Sequence, residues 1–232
     1  MSTMDKKTEN KITIANAAAA LYQKDSHFTY EDLAGEAGFT TKTIRSHFPN
    51  RKEIFEFYYE GTFLSYRDLT ESMEDMETYS LAERLSHMLL TLLDLFHEQR
   101  GFVEKTYVRV IERQGSSTSF AKHLVREVNQ ILMDDVEMLH IPSFVYNKAT
   151  DAAILYHFHG LMRFWVRDHS DANQKTMELV DKWTALAEAV AYSKVGEKSL
   201  DFAKFMATNS PFTDVVRNMR ATLKKQSMNR SC

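Results

Sequence analysis

Gly38-Phe39-Thr40-Thr41-Lys42-Thr43-Ile44-Arg45-Ser46-His47-Phe48-Pro49-Asn50-Arg51-Lys52 is the most informative run of this chain. It carries Lys42, Arg45, Arg51 and Lys52 and no acid, together with three threonines and one serine. A glycine opens it and Pro49-Asn50 breaks it, so a short helix fits between, capped by Thr40 or Thr41 and ending near His47. Ile44 and Phe48 lie four apart and share one face, which can pack inward. Thr41, Lys42, Thr43, Arg45 and Ser46 are left for the outer faces. A small basic helix rich in hydroxyls, held by an apolar helix on either side, suits entry into a DNA groove.

Outward from this run, helical signals continue in both directions. Residues 8–24 place Ile12, Ile14, Ala15, Ala18, Ala19 and Tyr22 at helical spacing. Thr29 caps a second helix over 30–37, with Asp32 completing a capping-box pattern, and Gly38 supplies a left-handed stop. A long fourth helix is expected over 51–73. Further helices are expected at 81–99, 102–114, 118–140, 146–168 and 173–195, then a short segment at 199–208 and a last helix from 211. Seven Gly and three Pro in 232 residues are few breakers. The expected fold class is all-α, with short loops as in a helical bundle.

The organisation expected is a helix-turn-helix head over 1–52, a larger bundle over 53–196, and an extra C-terminal helical extension with a basic tail over 197–232. The net charge is −3, which does not mark a nucleic-acid binder as a whole. Positive charge is concentrated in the opening run and in the tail, where Arg217, Arg220, Lys224, Lys225 and Arg230 occur without an acid. Local patches suffice for phosphate contact, although such runs also serve as solvated faces. The tail can touch DNA, cover the bundle or stay mobile.

One cysteine, Cys232, excludes a disulfide within the chain or a cysteine-based metal site. No signal-peptide pattern and no uncharged membrane-length stretch occurs, so a cytoplasmic protein without membrane partner is expected. The sequence holds no Gly-rich phosphate loop, no His-Glu-x-x-His and no nucleophile elbow. Neither enzyme activity, nor a cofactor, nor a bound metal is expected.

Residues 11–60 resemble the DNA-binding domain of the TetR family of bacterial transcriptional regulators. The resemblance is carried by Ala20-Leu21-Tyr22, by Thr29-Tyr30-Glu31-Asp32-Leu33-Ala34, by Ala37-Gly38-Phe39-Thr40 with Thr43-Ile44, and by His47-Phe48-Pro49-Asn50-Arg51-Lys52-Glu53-Ile54. It covers about a fifth of the chain. It implies that Thr29, Tyr30, Thr40, His47 and Lys52 contact phosphates, and that Thr41, Lys42, Thr43 and Arg45 face the major groove. For His47 and Tyr30, a packed position in the head is the alternative. The chain departs from the family pattern at Lys42, usually a small residue, and at Arg45, usually an aromatic, so base preferences do not transfer.

The same resemblance implies a homodimeric repressor that binds a pseudo-palindromic double-stranded DNA operator and is released by a small-molecule effector. The rival reading is a related interaction protein or coactivator that no longer binds an operator. A ligand cavity is expected among Tyr58, Tyr66, Phe96, Tyr107, His159, Met162 and Arg163, with aromatics at helical spacing also readable as plain core. His159 and Arg163, four apart, share a face that is turned either to a ligand or to the dimer interface and solvent. His157 and His159 point to different faces and do not share a metal readily. Dimer contacts are expected from Tyr156, Phe164, Leu179, Trp183, Leu186 and Val190.

Overall fold

The computed structural model describes residues 4–71, 78–135 and 148–192. The expected segment at 199–208, the last helix from 211 and the whole 197–232 extension lie outside the described residues. Among the described residues nine α-helices follow in order: α1 Lys6–Lys24, α2 Tyr30–Ala37, α3 Thr41–His47, α4 Arg51–Thr70, α5 Leu81–His97, α6 Arg100–Val110, α7 Ser119–Met133, α8 Lys148–Arg167 and α9 Gln174–Tyr192. Among the described residues there is no strand, so the chain is all-α.

Local chemistry sets most of the boundaries. Asp5 accepts from the Thr8 amide at 2.9 Å, which starts α1 two residues before the expected position. Hydrogen bonds from Thr8 hold the Asp5 carboxyl below its ordinary range. Thr29 and Asp32 form the reciprocal capping box at α2, at 2.7 and 3.1 Å. Gly38 ends α2 at φ 71°, where a side chain would be strained. Thr40 and Asn50 cap α3 and α4 through the Thr43 and Glu53 amides.

The sixth helix differs from the expected 102–114. It begins at Arg100 and stops at Val110; a 3₁₀ turn, Glu112–Ser117, follows, with Gly115 at φ 56°. Side chains compete with the helix there. Gln114 Nε2 donates back to the Val110 carbonyl at 2.6 Å, and Ser117 Oγ donates to the Gln114 carbonyl at 2.7 Å. A second 3₁₀ turn, Asp171–Asn173, carries two left-handed residues, Ala172 and Asn173, before α9.

One buried core runs from the head into the bundle along α4. In the head, α1, α2 and α3 bury Ile14, Ala18, Leu33, Ile44 and Phe48, and α1 packs along α4. Gly61 allows α1 and α4 to approach: a Cβ there would stand 3.1 Å from Ile12 Cγ1. Farther along α4, Tyr58, Tyr59, Phe63 and Tyr66 meet Phe96, Phe102, Tyr107 and Phe120 in an edge-to-face aromatic core, with Tyr58 and Phe102 centroids 4.8 Å apart. Tyr59 and Thr106 hydroxyls pair inside it at 2.6 Å, which satisfies two polar groups that burial would otherwise penalise.

Candidate functional site

The outer face of α3 is built by what its inner face does. Ile44 and Phe48 are essentially fully buried, so the helical period turns Lys42, Arg45 and Ser46 to solvent. Thr41 and Thr43 are half-buried beside them. The Arg45 guanidinium lies 4.0 Å from the centroid of the Tyr30 ring, a cation–π contact across the α2–α3 cleft. This contact joins two of the expected DNA residues and holds the arginine in place before any partner arrives.

The other head residues are partly committed within the protein. Thr29 donates its hydroxyl to Asp32 at 2.8 Å. The Thr40 and Thr43 hydroxyls pair at 2.9 Å. Lys52 lies 3.3 Å from Glu56 at the start of α4; such exposed pairs are worth only about 0–1 kcal/mol, so phosphate can replace the carboxylate. His47 is half-buried, and its Nδ1 is enclosed without a hydrogen-bond partner. Arg51, one of the four cations of the opening run but not among the expected DNA contacts, crosses the Phe28 ring at 3.9 Å and donates to the Phe28 carbonyl. That arginine anchors the α1–α2 loop and is not a free cation.

A second site lies in the bundle. A cavity of about 410 Å³ opens between α5, α7, α8, α9 and the Glu112–Ser117 turn. Its walls are mostly aliphatic, from Leu85, Leu89, Leu124, Val128, Ile154 and Leu161, with Met88 and Phe158. Its polar edge comprises Glu112, His157, His159, Arg163 and Trp183. Arg163 donates to Glu112 through Nε at 3.0 Å and again through the terminal nitrogen, the bidentate geometry that arginine favours. His159 Nδ1 and the Tyr107 hydroxyl are 2.7 Å apart. Burial lowers the His159 pKa, with Arg163 acting in the same direction against Glu112, so the ring is neutral at pH 7. Burial also pushes the Tyr107 hydroxyl well up, which keeps it protonated.

Of the seven residues expected around a ligand, His159 and Arg163 line this cavity. Tyr58, Tyr66, Phe96, Tyr107 and Met162 do not; each is at least 98% buried in the packed core, and Tyr107 stands behind His159. The aliphatic wall escaped sequence reading because isolated Leu and Val at helical spacing carry no sign of a void. Glu112 was also missed, since its partner Arg163 is 51 positions away.

The six residues expected at a dimer contact fall on one side of α8 and α9. Tyr156 is 76% and Leu186 62% exposed, and Phe164 and Val190 are each 41% exposed. Leu179 and Trp183 are half-buried at the cavity rim. Large exposed side chains of this kind suit an interaction surface.

The two sites are physically joined. Glu112, which holds Arg163 at the cavity, and Gln114 belong to the same short turn. Gln114 Nε2 donates to Glu56 Oε1 at 2.8 Å, the same carboxylate oxygen that faces Lys52. Gln23 of α1 makes a further link, accepting from the Gly101 amide at 3.1 Å.

A helix-turn-helix head on a cavity-bearing helical bundle defines a class of two-part, all-α regulators. The family model described as the tetracyclin repressor-like C-terminal domain matches residues 84–206, which takes in α5 to α9. The chain belongs to the TetR family and is a transcriptional regulator of that kind. No curated protein matches it. The head lies outside the matched span, so its assignment rests on its own caps, turn and exposed face. Among the described residues no helix is long and apolar enough to cross a membrane, and no group of three or more His, Cys, Asp or Glu could hold a metal ion.

Proposed function

We propose that this protein is a ligand-responsive repressor that binds a pseudo-palindromic operator as a homodimer. The observation that carries the reading is the outer face of α3: Lys42 and Arg45 stand exposed beside Thr41 and Thr43 on a helix whose other face is the core of the head. Arg45, stacked on Tyr30, offers a planar donor pair for a guanine edge. Lys42 and Lys52 supply phosphate charge, and Thr41 and Thr43 supply short hydroxyl contacts. Two such heads read two half-sites when the α8 and α9 faces of two copies meet.

The cavity is the effector site in this reading. An effector that fills the cavity beside the Arg163–Glu112 pair shifts the Glu112–Ser117 turn and with it the Gln114 grip on Glu56 of α4. The head then moves from the spacing that DNA requires, and affinity falls by population shift. Repression by occlusion of the operator and a cytoplasmic location accompany this reading.

Fluorescence anisotropy on the DNA upstream of its own coding sequence tests it. At about 150 mM salt, binding well above that to random duplex is expected; equal affinities would reject operator recognition. Sedimentation at micromolar concentration tests the dimer, with a monomer as the contrary result.

A further inference from the structure

The polar edge of the bundle cavity has a specific imbalance that narrows what it can hold. Among the described residues Glu112 is its one carboxylate and Arg163 its one permanent cation, and they are paired bidentately. The Glu112 side chain is 15% exposed, whereas that of Arg163 is 58% exposed. Trp183 donates its indole N–H to His157 Nδ1 at 3.3 Å. The Tyr107 hydroxyl occupies His159 Nδ1. Among the described residues His159 Nε2 has no hydrogen-bond partner, although the ring is half-buried.

We propose that the cavity takes an uncharged, largely apolar molecule with one hydrogen-bonding group, of the alcohol class, seated against His159. This rests on the effector reading of the same cavity. A volume of about 410 Å³ falls within the range of small-molecule sites, and its aliphatic walls reward an apolar body. Charged ligands are disfavoured by the ion pair. Among the described residues a cation finds no carboxylate except the one that Arg163 already holds. An anion must draw Arg163 away and leave Glu112 poorly solvated and unpaired, which costs more than an exposed pair returns. A hydroxyl asks for neither. It can donate to or accept from His159 Nε2, because the Tyr107–His159 pair can reverse its donor and acceptor roles by a change of tautomer.

The test uses one chain length and three head groups: decan-1-ol, decanoate and decylammonium, each below micelle formation at pH 8. Tryptophan emission of the full chain is the readout, since Trp183 lines the cavity. Decan-1-ol is expected to bind saturably, and both ions at least about tenfold more weakly. His159→Phe is expected to weaken the alcohol by about two- to tenfold, the worth of one hydrogen bond, while His159→Gln keeps most of the affinity. Val128→Trp, which fills the cavity, abolishes the response. Equal or tighter binding of either ion overturns the proposal, as does saturable alcohol binding that survives Val128→Trp. No binding of any of the three to the unaltered chain overturns it as well. The same samples are titrated into operator DNA. Alcohol binding without specific DNA binding rejects the regulator and keeps the ligand class; DNA binding released only by an ion does the reverse.

Discussion

The head and the bundle solve different problems with the same material. In the head, every candidate DNA-contacting side chain lies within residues 29–52, and apart from the Arg45–Tyr30 contact their placement follows from neighbours a few positions away. Thr40 caps the helix that carries Lys42 and Arg45, and Ile44 turns them outward by occupying the core. In the bundle, the cavity brings together residues from 85 to 183, and its charge balance depends on a pair 51 positions apart. Local order makes a surface that reads a partner. Long-range packing makes a void that waits for one.

The largest expected effect separates the two regions by stability. Ile44→Ala removes a fully buried side chain and is expected to cost about 2–5 kcal/mol in denaturant unfolding. Operator binding should be lost, while alcohol binding under folding conditions should survive. Loss of both together would mean that head and bundle fold as one inseparable unit.

Next comes Arg45→Ala, expected to weaken operator binding by about 1–3 kcal/mol with little change on random duplex. A uniform loss on both DNAs would make Arg45 a phosphate contact instead. Lys42→Ala is expected to lower the salt dependence by about one counterion, read from anisotropy across a salt series.

The comparison is sharpened by the turn between the sites. Gln114→Ala cuts the bond to Glu56 without touching the cavity wall or the α3 face. Its expected signature is a smaller ratio between operator affinities with and without effector, by about 0.5–2 kcal/mol. Unchanged coupling would move the path to α1, through Gln23 and Gly101.

The smallest effect concerns pH. The folded pKa of His159 is depressed by burial. Its contribution to stability is therefore complete above the ordinary histidine value of about 6.5 and is lost as pH falls through the lower folded value. Thermal stability should decline on acidification below that point, and His159→Gln should flatten this part of the profile. A variant that follows the unaltered curve would assign the decline to other groups.

Much of the head was legible because its signals are short in range. Thr29 with Asp32, Gly38, Thr40 and Pro49-Asn50 mark the ends of α2 and α3 where they occur, since caps and turns depend on three or four consecutive residues. The bundle helices were also placed by apolar periodicity, most within a few residues, although α7 ends at Met133 where the helix was expected to run to 140. Aromatic content did not locate the cavity. Tyr58, Tyr66 and Phe96 drew attention by size, yet large flat rings pack edge to face and leave little space. The void formed where branched aliphatic residues of four helices failed to meet.

The sequence by itself determined the all-α class, the TetR-like head and the basic, hydroxyl-rich character of α3. Each depends on periodicity or capping within one element. Tertiary structure alone decided that Arg45 rests on Tyr30, that Arg163 is paired with Glu112, and that His159 meets Tyr107 through Nδ1. Those outcomes arise from how helices distant in sequence close on one another, and no local pattern encodes the distance between them.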